Sequence, residues 1–294
     1  MKIAIIGMGY WGPNYYRILT ELGHELTVCD PVKSLLNQYN CRKTTDYKSA
    51  ISGVDAVIVA APTSKHYEIT QYALFQGKHV LCEKPLTLNP LEHFHLINNA
   101  RENNLILFPG LTFLFNEAVQ KINERFFEEE DYGECIYIRT ERVNNGPQRT
   151  DVHAIADLAT HDISILSYFL GKPKYVNSGL IKRPDQPQPG SGYLNMEFNG
   201  VKTSTFVSWN EPVKGRLIRM VFEGGTIDFD DTKLSPIVNY VDGMSVFNTL
   251  KPERQPLNIM VDEFLTSIQE GDCDFGIKRL QDISSDVTGI LSLC

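Results

Sequence analysis

Lys84 stands between Glu83 and Pro85, and a lysine at the rim of a cleft can pass a proton near neutral pH once burial or a neighbouring positive charge lowers its pKa. Asp157 precedes His161 by four residues. On a helix that spacing puts a carboxylate and an imidazole on one face. An ordinary imidazole titrates near working pH, so His161 is the candidate general base for a hydroxyl proton and Asp157 the group that binds or orients hydroxyls. A third constellation, Gly7-Met8-Gly9-Tyr10-Trp11-Gly12, follows an apolar run and precedes a helical stretch. In that setting the first glycine makes a tight turn, the second lets backbone approach a pyrophosphate, and the third lets the helix pack close to the strand. Pro13 suits the first helical turn, whose remaining N–H groups can face an anion.

The glycine turn implies a dinucleotide, and the residues around it refine the reading. Asp30 lies 18 residues after Gly12 at the end of a second apolar run. There its carboxylate can accept hydrogen bonds from an adenosine ribose and would repel a 2′-phosphate, which favours NAD over NADP; the competing reading is a turn former before Pro31. Ala61-Pro62-Thr63-Ser64 leads from a strand into a helix, with Thr63 or Ser64 available as N-cap. His66 either faces the nicotinamide ribose or is an ordinary surface histidine of that helix. Glu83 and Lys84 end another strand, at the carboxyl edge where open α/β sheets place their ligands, although a purely structural Lys84–Glu83 pair has the same sequence signature. The expected NAD contacts are thus Gly7, Gly9, Tyr10, Trp11, Gly12, Asp30, Ala61, Pro62, Thr63, His66, Glu83 and Lys84.

The elements that must carry these residues follow from hydrophobic patterning. Apolar runs at 2–6, 25–29, 56–61, 79–82 and 106–109 alternate with helical stretches near 13–22, 65–76 and 90–103, the mark of βαβ units with a buried parallel sheet. Beyond residue 117 the strands lengthen and alternate in character, at 134–144, 192–198, 202–209, 216–222 and 226–230, as expected for an antiparallel sheet covered on one face. A helix over 153–170 interrupts them, 183–192 reads as an exposed hairpin loop, and helices near 257–269 and 277–293 follow. The fold class expected is α/β: an N-terminal Rossmann domain over 1–117 and, over 118–294, a C-terminal α+β domain on a large, mostly antiparallel open sheet. A length of 294 residues accommodates two such cores.

Two motifs resemble the Gfo/Idh/MocA oxidoreductases over nearly the whole chain. Glu83-Lys84-Pro85 is similar to that family's EKP signature, whose lysine lies between nicotinamide and substrate and whose proline commonly follows a cis bond. Asp157-Leu158-Ala159-Thr160-His161 is similar to its DxxxH segment. The runs Gly9 to Asn14 and Gly146 to Gly171 further resemble the subgroup acting on nucleotide-activated sugars, including UDP-N-acetylglucosaminuronate 3-dehydrogenases. That resemblance implies a substrate cleft entered by a loop carrying Asn144, Arg149 and Asp151, with Lys84, Asp157 and His161 completing the substrate contacts. Arg149 suits a carboxylate or phosphate by bidentate pairing; an exposed loop arginine is the competing reading. The family further implies a homodimer or homotetramer.

Composition narrows the partners. Twenty-eight Lys and Arg against 36 Asp and Glu give a net charge of −8, a field that repels nucleic acid in the absence of a basic run. The apolar run after Met1 stops within a few residues, too early for a membrane span. Cys29, Cys41, Cys82, Cys135, Cys273 and Cys294 show no CxxC spacing, which points to a reducing cytoplasm. His93-Phe94-His95 does not suit a metal, because residues two apart on a helix diverge, and no metal is expected. The leading reading is oxidation of a secondary hydroxyl of a sugar or nucleotide sugar with NAD. The alternatives are a non-catalytic NAD(H) sensor and an NADH-dependent reductase of a non-sugar carbonyl or imine.

Overall fold

The computed structural model describes residues 1–146, 148–233, 236–241, 244–248, 253–272 and 274–294. Cys273, and Pro147 within the run after Gly146, lie outside the described residues. The apolar run after Met1 forms β1 (Lys2–Ile6), and the glycine turn hands the chain to α1 (Gly12–Glu21). Then follow β2 (Glu25–Cys29), β3 (Arg42–Thr44), α2 (Tyr47–Ile51), β4 (Ala56–Val59), α3 (Thr63–Phe75), β5 (His79–Glu83), α4 (Pro90–Glu102) and β6 (Leu107–Gly110). Next are α5 (Glu117–Ile122), β7 (Cys135–Val143), α6 (Thr160–Leu170), β8 (Tyr175–Ile181), β9 (Ser191–Phe198), β10 (Val201–Ser208) and β11 (Gly215–Phe222). Last come β12 (Gly225–Phe229), β13 (Ile237–Val241), β14 (Met244–Asn248), α7 (Pro256–Glu270) and α8 (Ile277–Leu291).

The first sheet has the order β3-β2-β1-β4-β5-β6 and is parallel throughout. Its central strands are apolar on both faces: Ile3, Ala4, Ile5, Val57, Ile58 and Val59 are fully buried, as a sheet covered on both sides requires. Chain direction across the sheet reverses between β1 and β4, so the loops leaving those strands diverge and open the crevice in which such sheets hold ligands. The second sheet has the order β14-β13-β12-β11-β7-β10-β9-β8. β10 pairs with β7 in parallel and the other neighbours are antiparallel. Alternation along these strands is clean: Ile138, Leu194, Met196, Ile218 and Met220 are buried, while Tyr137 and Tyr193 on the opposite face are exposed.

The expected division near residue 117 needs correction. The chain forms two units, one of Met1–Leu111 with Leu257–Thr288, the other of Thr112–Pro256 with Gly289–Cys294. α7 and α8 therefore join the parallel sheet rather than the domain that precedes them in sequence. The Phe264 ring meets Phe108 edge-on at 5.8 Å, Gln281 Nε2 donates to the Leu107 carbonyl at 3.0 Å, and Thr288 Oγ1 donates to the Thr87 carbonyl at 3.2 Å. An amphipathic stripe such as Leu280, Ile283 and Val287 demands an apolar partner but does not say which one.

β3, α2, α5, β8, β13 and β14 lie outside the elements expected from the sequence. β3 is a three-residue polar edge strand, and β8 reads YVNSGLI, with no sustained alternation. The helix expected at 153–170 starts with a π-helical turn, Ile155–Ala159, before α6. His93 and His95 go to separate partners, Ser284 Oγ and Tyr67 Oη, each at 3.1 Å. Cys29, Cys41, Cys82, Cys135 and Cys294 are free thiols. Among the described residues no helix is long and apolar enough to cross a membrane.

Candidate active site

The glycine turn leaves β1 with Gly7 at φ +98°, a left-handed conformation that favours glycine, and a Cβ there would lie 2.5 Å from the Ala60 carbonyl oxygen. At Gly12 a Cβ would collide with the Gly7 carbonyl, so this glycine permits α1 to start against the turn. Gly9 differs, because a Cβ there meets no protein atom within 4 Å. The space beside Gly9 is open crevice, which fits the close passage of a pyrophosphate. Tyr10 is 86% exposed and its ring meets Trp11 edge-on at 5.6 Å. Asp30, 7% exposed, accepts the Met8 N–H on Oδ2 and the Val32 N–H on Oδ1, each at 2.8 Å. It thereby ties the turn to the end of β2, and each oxygen keeps a second lone pair for a ribose hydroxyl.

This contrast gives a prediction. Gly9→Ala is expected to raise the NADH dissociation constant at least about tenfold with the melting temperature unchanged, whereas Gly12→Ala should cost about 1–3 kcal/mol of stability by overpacking. Fluorescence titration and thermal unfolding of the two variants check it; equal loss of stability in both would refute the assignment of Gly9 to a ligand surface.

At the end of β4, Ala61 is half-buried, Pro62 exposed and Thr63 buried. The expected N-cap at Thr63 or Ser64 is corrected: Pro62 is the N-cap of α3 and Thr63 the first helical residue, with no side-chain cap. His66 fits neither of its two expected roles. It is 1% exposed, and its Nδ1 and Nε2 each lie 2.8 Å from a backbone carbonyl oxygen, of Pro85 and of Ala61, so both ring nitrogens are engaged inside the unit rather than turned to a ribose.

Glu83 is likewise buried, its carboxylate accepting the Tyr15 hydroxyl at 2.6 Å and the Lys84 N–H at 3.2 Å. Burial first, and the Glu83 carboxylate second, push the Tyr15 phenol well above its ordinary pKa, so Tyr15 stays a donor. From Val80 to Thr87 Lys84 alone is partly exposed, and the Lys84–Pro85 bond is cis.

The second unit repeats this pattern. Between Ala154 and Ser167 the chain is buried except at Asp157 and His161, which reach solvent from the π-helical turn and the first turn of α6. Asp157 accepts Arg149 Nη1 on Oδ1 at 3.2 Å and Trp209 Nε1 on Oδ2 at 3.3 Å. Arg149 also grips Asp151 with Nε at 3.0 Å and Nη2 at 2.8 Å. Burial alone would lower the Arg149 pKa, but Asp151 and Asp157 outweigh it and hold the guanidinium above its ordinary value. Arg149 is therefore neither an exposed loop residue nor a fork open to an anion, because two carboxylates of its own chain already occupy it.

Asn144 is held through its backbone, donating to the Ser208 carbonyl at 2.9 Å and accepting the Glu211 N–H at 3.2 Å. The His161 ring packs on Phe113 at 4.8 Å, and the guanidinium of Arg142 covers Phe113 at 4.6 Å. Arg142 also forms two 3.0 Å bonds to Asp162, the residue after His161. Trp209, Phe113, Arg142 and Tyr15 carried no motif in the sequence. The only available signal was a helix-facing charged residue, Asp162, that needed a buried partner.

A family model described as oxidoreductase family, NAD-binding Rossmann fold, matches residues 1–111. Residues 1–111 are a Gfo/Idh/MocA NAD-binding domain. The UDP-N-acetylglucosamine 3-dehydrogenase of Acidithiobacillus ferrooxidans is 28% identical to this chain over 176 residues, 58% of this chain and 55% of that protein. A solved structure of that dehydrogenase superposes with a TM-score of 0.82 at 21% identity, covering 99% of this chain and 96% of its own, and so speaks for the fold. The myo-inositol 2-dehydrogenase of Thermotoga maritima is 29% identical over 186 residues, 58% of this chain and 55% of that enzyme. The 4-carboxy-2-hydroxymuconate-6-semialdehyde dehydrogenase of a Sphingobium species is 24% identical over 248 residues, 77% of this chain and 78% of that enzyme. Matched segments thus span about half the length of the first two of these relatives.

Proposed function

We propose that this chain oxidises a secondary hydroxyl of a sugar or nucleotide sugar, with NAD as hydride acceptor and a UDP-N-acetyl-hexosaminuronate or closely related nucleotide sugar as the narrowest candidate. One observation carries the reading: Lys84, Asp157 and His161 are the partly exposed residues of two otherwise buried stretches, one at the rim of the NAD-binding sheet and the other at a helix start. Bound NAD would supply the acceptor for hydride at the nicotinamide ring. Lys84 would polarise the substrate oxygen, His161 would take its proton as the carbon is oxidised, and Asp157 would orient the hydroxyls. Gly7, Gly9 and Gly12 with Asp30 would hold the dinucleotide. Relatives that act on UDP-N-acetylglucosamine and on myo-inositol support a polyol substrate.

The test is a panel of UDP-hexosamines, UDP-hexosaminuronates, free hexoses and inositols mixed with NAD and followed by NADH absorbance. Turnover on at least one of them is expected. NADH-driven reduction of an aldehyde or imine, with no turnover on any polyol, would replace this reading by the reductase. Stoichiometric capture of a protein partner only with NAD(H), without turnover, would replace it by the sensor.

The reading places the protein in the cytoplasm, in keeping with its free thiols. It also places self-association, as a homodimer or homotetramer, on the open face of the second sheet, where Tyr137 and Tyr193 are exposed; sedimentation would read a monomer mass if this is wrong.

A further inference from the structure

The histidine buried beneath the cofactor crevice has an arrangement that only one protonation state satisfies. His66 Nδ1 lies 2.8 Å from the carbonyl oxygen of Pro85 and Nε2 lies 2.8 Å from that of Ala61, with the residue 1% exposed. A carbonyl oxygen only accepts, so a ring nitrogen at that distance must carry a proton. A neutral imidazole has one N–H, and its other nitrogen would set a lone pair against carbonyl lone pairs at a residue only 1% exposed. We infer that His66 is held as an imidazolium donating from both nitrogens, a cationic tie between the loop that ends β4 and the loop that ends β5, and that this tie holds Lys84 in position.

The environment supplies what a buried cation needs. Two carbonyl dipoles point at it, and charge-assisted bonds of this kind are stronger than neutral ones. Glu83, buried two residues before Pro85, brings a carboxylate to the same strand end. The other charged groups of these elements are Lys84 on the β5 loop and, on α3, Lys65 and Glu68, which pair with each other at the surface at 3.0 Å.

Ala61 and Pro85 follow adjacent parallel strands at the edge where an open sheet binds its ligand. Clamping both loops through one ring couples the wall of the dinucleotide crevice to the segment bearing Lys84. His66 is thus a positioning residue whose two ring nitrogens face the two loops. Its consequence for Lys84 rests on the function proposed above, whereas its charge does not.

Two measurements test this. In cofactor-free protein with ¹⁵N-labelled histidine, assigned through the backbone, the two ring nitrogens of His66 at neutral pH should resonate close together, each with its own slowly exchanging proton. Widely separated resonances, the mark of a neutral tautomer, overturn the inference. In the second arm, His66→Gln offers one donor group for two carbonyls and should raise the NADH dissociation constant roughly tenfold, while Lys65→Gln on the same helix stays within about twofold. Unchanged affinity in His66→Gln overturns its clamp on the crevice wall, and unchanged turnover on a polyol that the unmodified protein oxidises overturns its positioning of Lys84. Should that variant not fold, the spectrum of the unmodified protein still decides. Failure of the unmodified protein to bind NADH would strike the cofactor assignment alone.

Discussion

Lys84→Met is expected to lower turnover roughly 10²–10⁴-fold on whichever polyol the unmodified protein oxidises, with NADH affinity changed by no more than about twofold. Methionine keeps a long apolar stem and removes the ammonium, so a loss confined to turnover isolates the charge and the proton. Burial makes this separation clean. Val80 to Leu86 are buried apart from Lys84, and the local backbone is held from both sides, by Glu83 accepting the Lys84 N–H at 3.2 Å and by His66 at the Pro85 carbonyl at 2.8 Å. The substitution therefore leaves the frame standing. Turnover follows from NADH absorbance, and affinity from quenching of the two tryptophans, of which Trp11 lies in the dinucleotide turn. Turnover within threefold of the unmodified protein would remove Lys84 from the chemistry. Lys84→Arg separates its two roles, restoring the positive charge without a readily shed proton.

The largest expected effect on stability lies in the second unit. Arg142→Met should cost about 3–5 kcal/mol, because it strands the Asp162 carboxylate in the core without a partner. The side chains of Arg142 and Asp162 are 6% and 1% exposed and are joined by two bonds of 3.0 Å. The same guanidinium covers the Phe113 ring, itself packed on His161, so loosening it should also disorder the imidazole and lower turnover. Converting both partners, Arg142→Met with Asp162→Leu, removes the unpaired charge and should recover most of the stability without recovering turnover, since replacing a buried pair by apolar groups is often near neutral. Urea unfolding of the three variants reads the difference. A single variant within about 1 kcal/mol of the unmodified protein would show that the pair is not the buried anchor its geometry describes.

The glycine turn, the alternating βαβ runs and the carboxyl-edge position of Lys84 were legible from residue order, because each depends on neighbours a few positions apart. So was the placement of Asp157 and His161 on one helical segment. Local pattern misled where the folded loop, rather than a helical or strand repeat, chose a residue's partner. His66 read as a cofactor contact or a surface histidine, and its ring instead spans two strand ends; Arg149 read as an anion receptor or an exposed loop arginine, and Asp151 and Asp157 already fill its fork.

Residue order by itself determined the class of the first sheet and which side chains could do chemistry, since periodicity and turn chemistry are short-range properties of the chain. Only the tertiary structure decided that α7 and α8 belong with the parallel sheet, that Trp209 meets Asp157 and that Arg142 neutralises Asp162. An apolar stripe or a buried charge states that a partner is needed, and many segments could meet that need. The choice among them is made by simultaneous burial of all the elements, which no window of sequence contains.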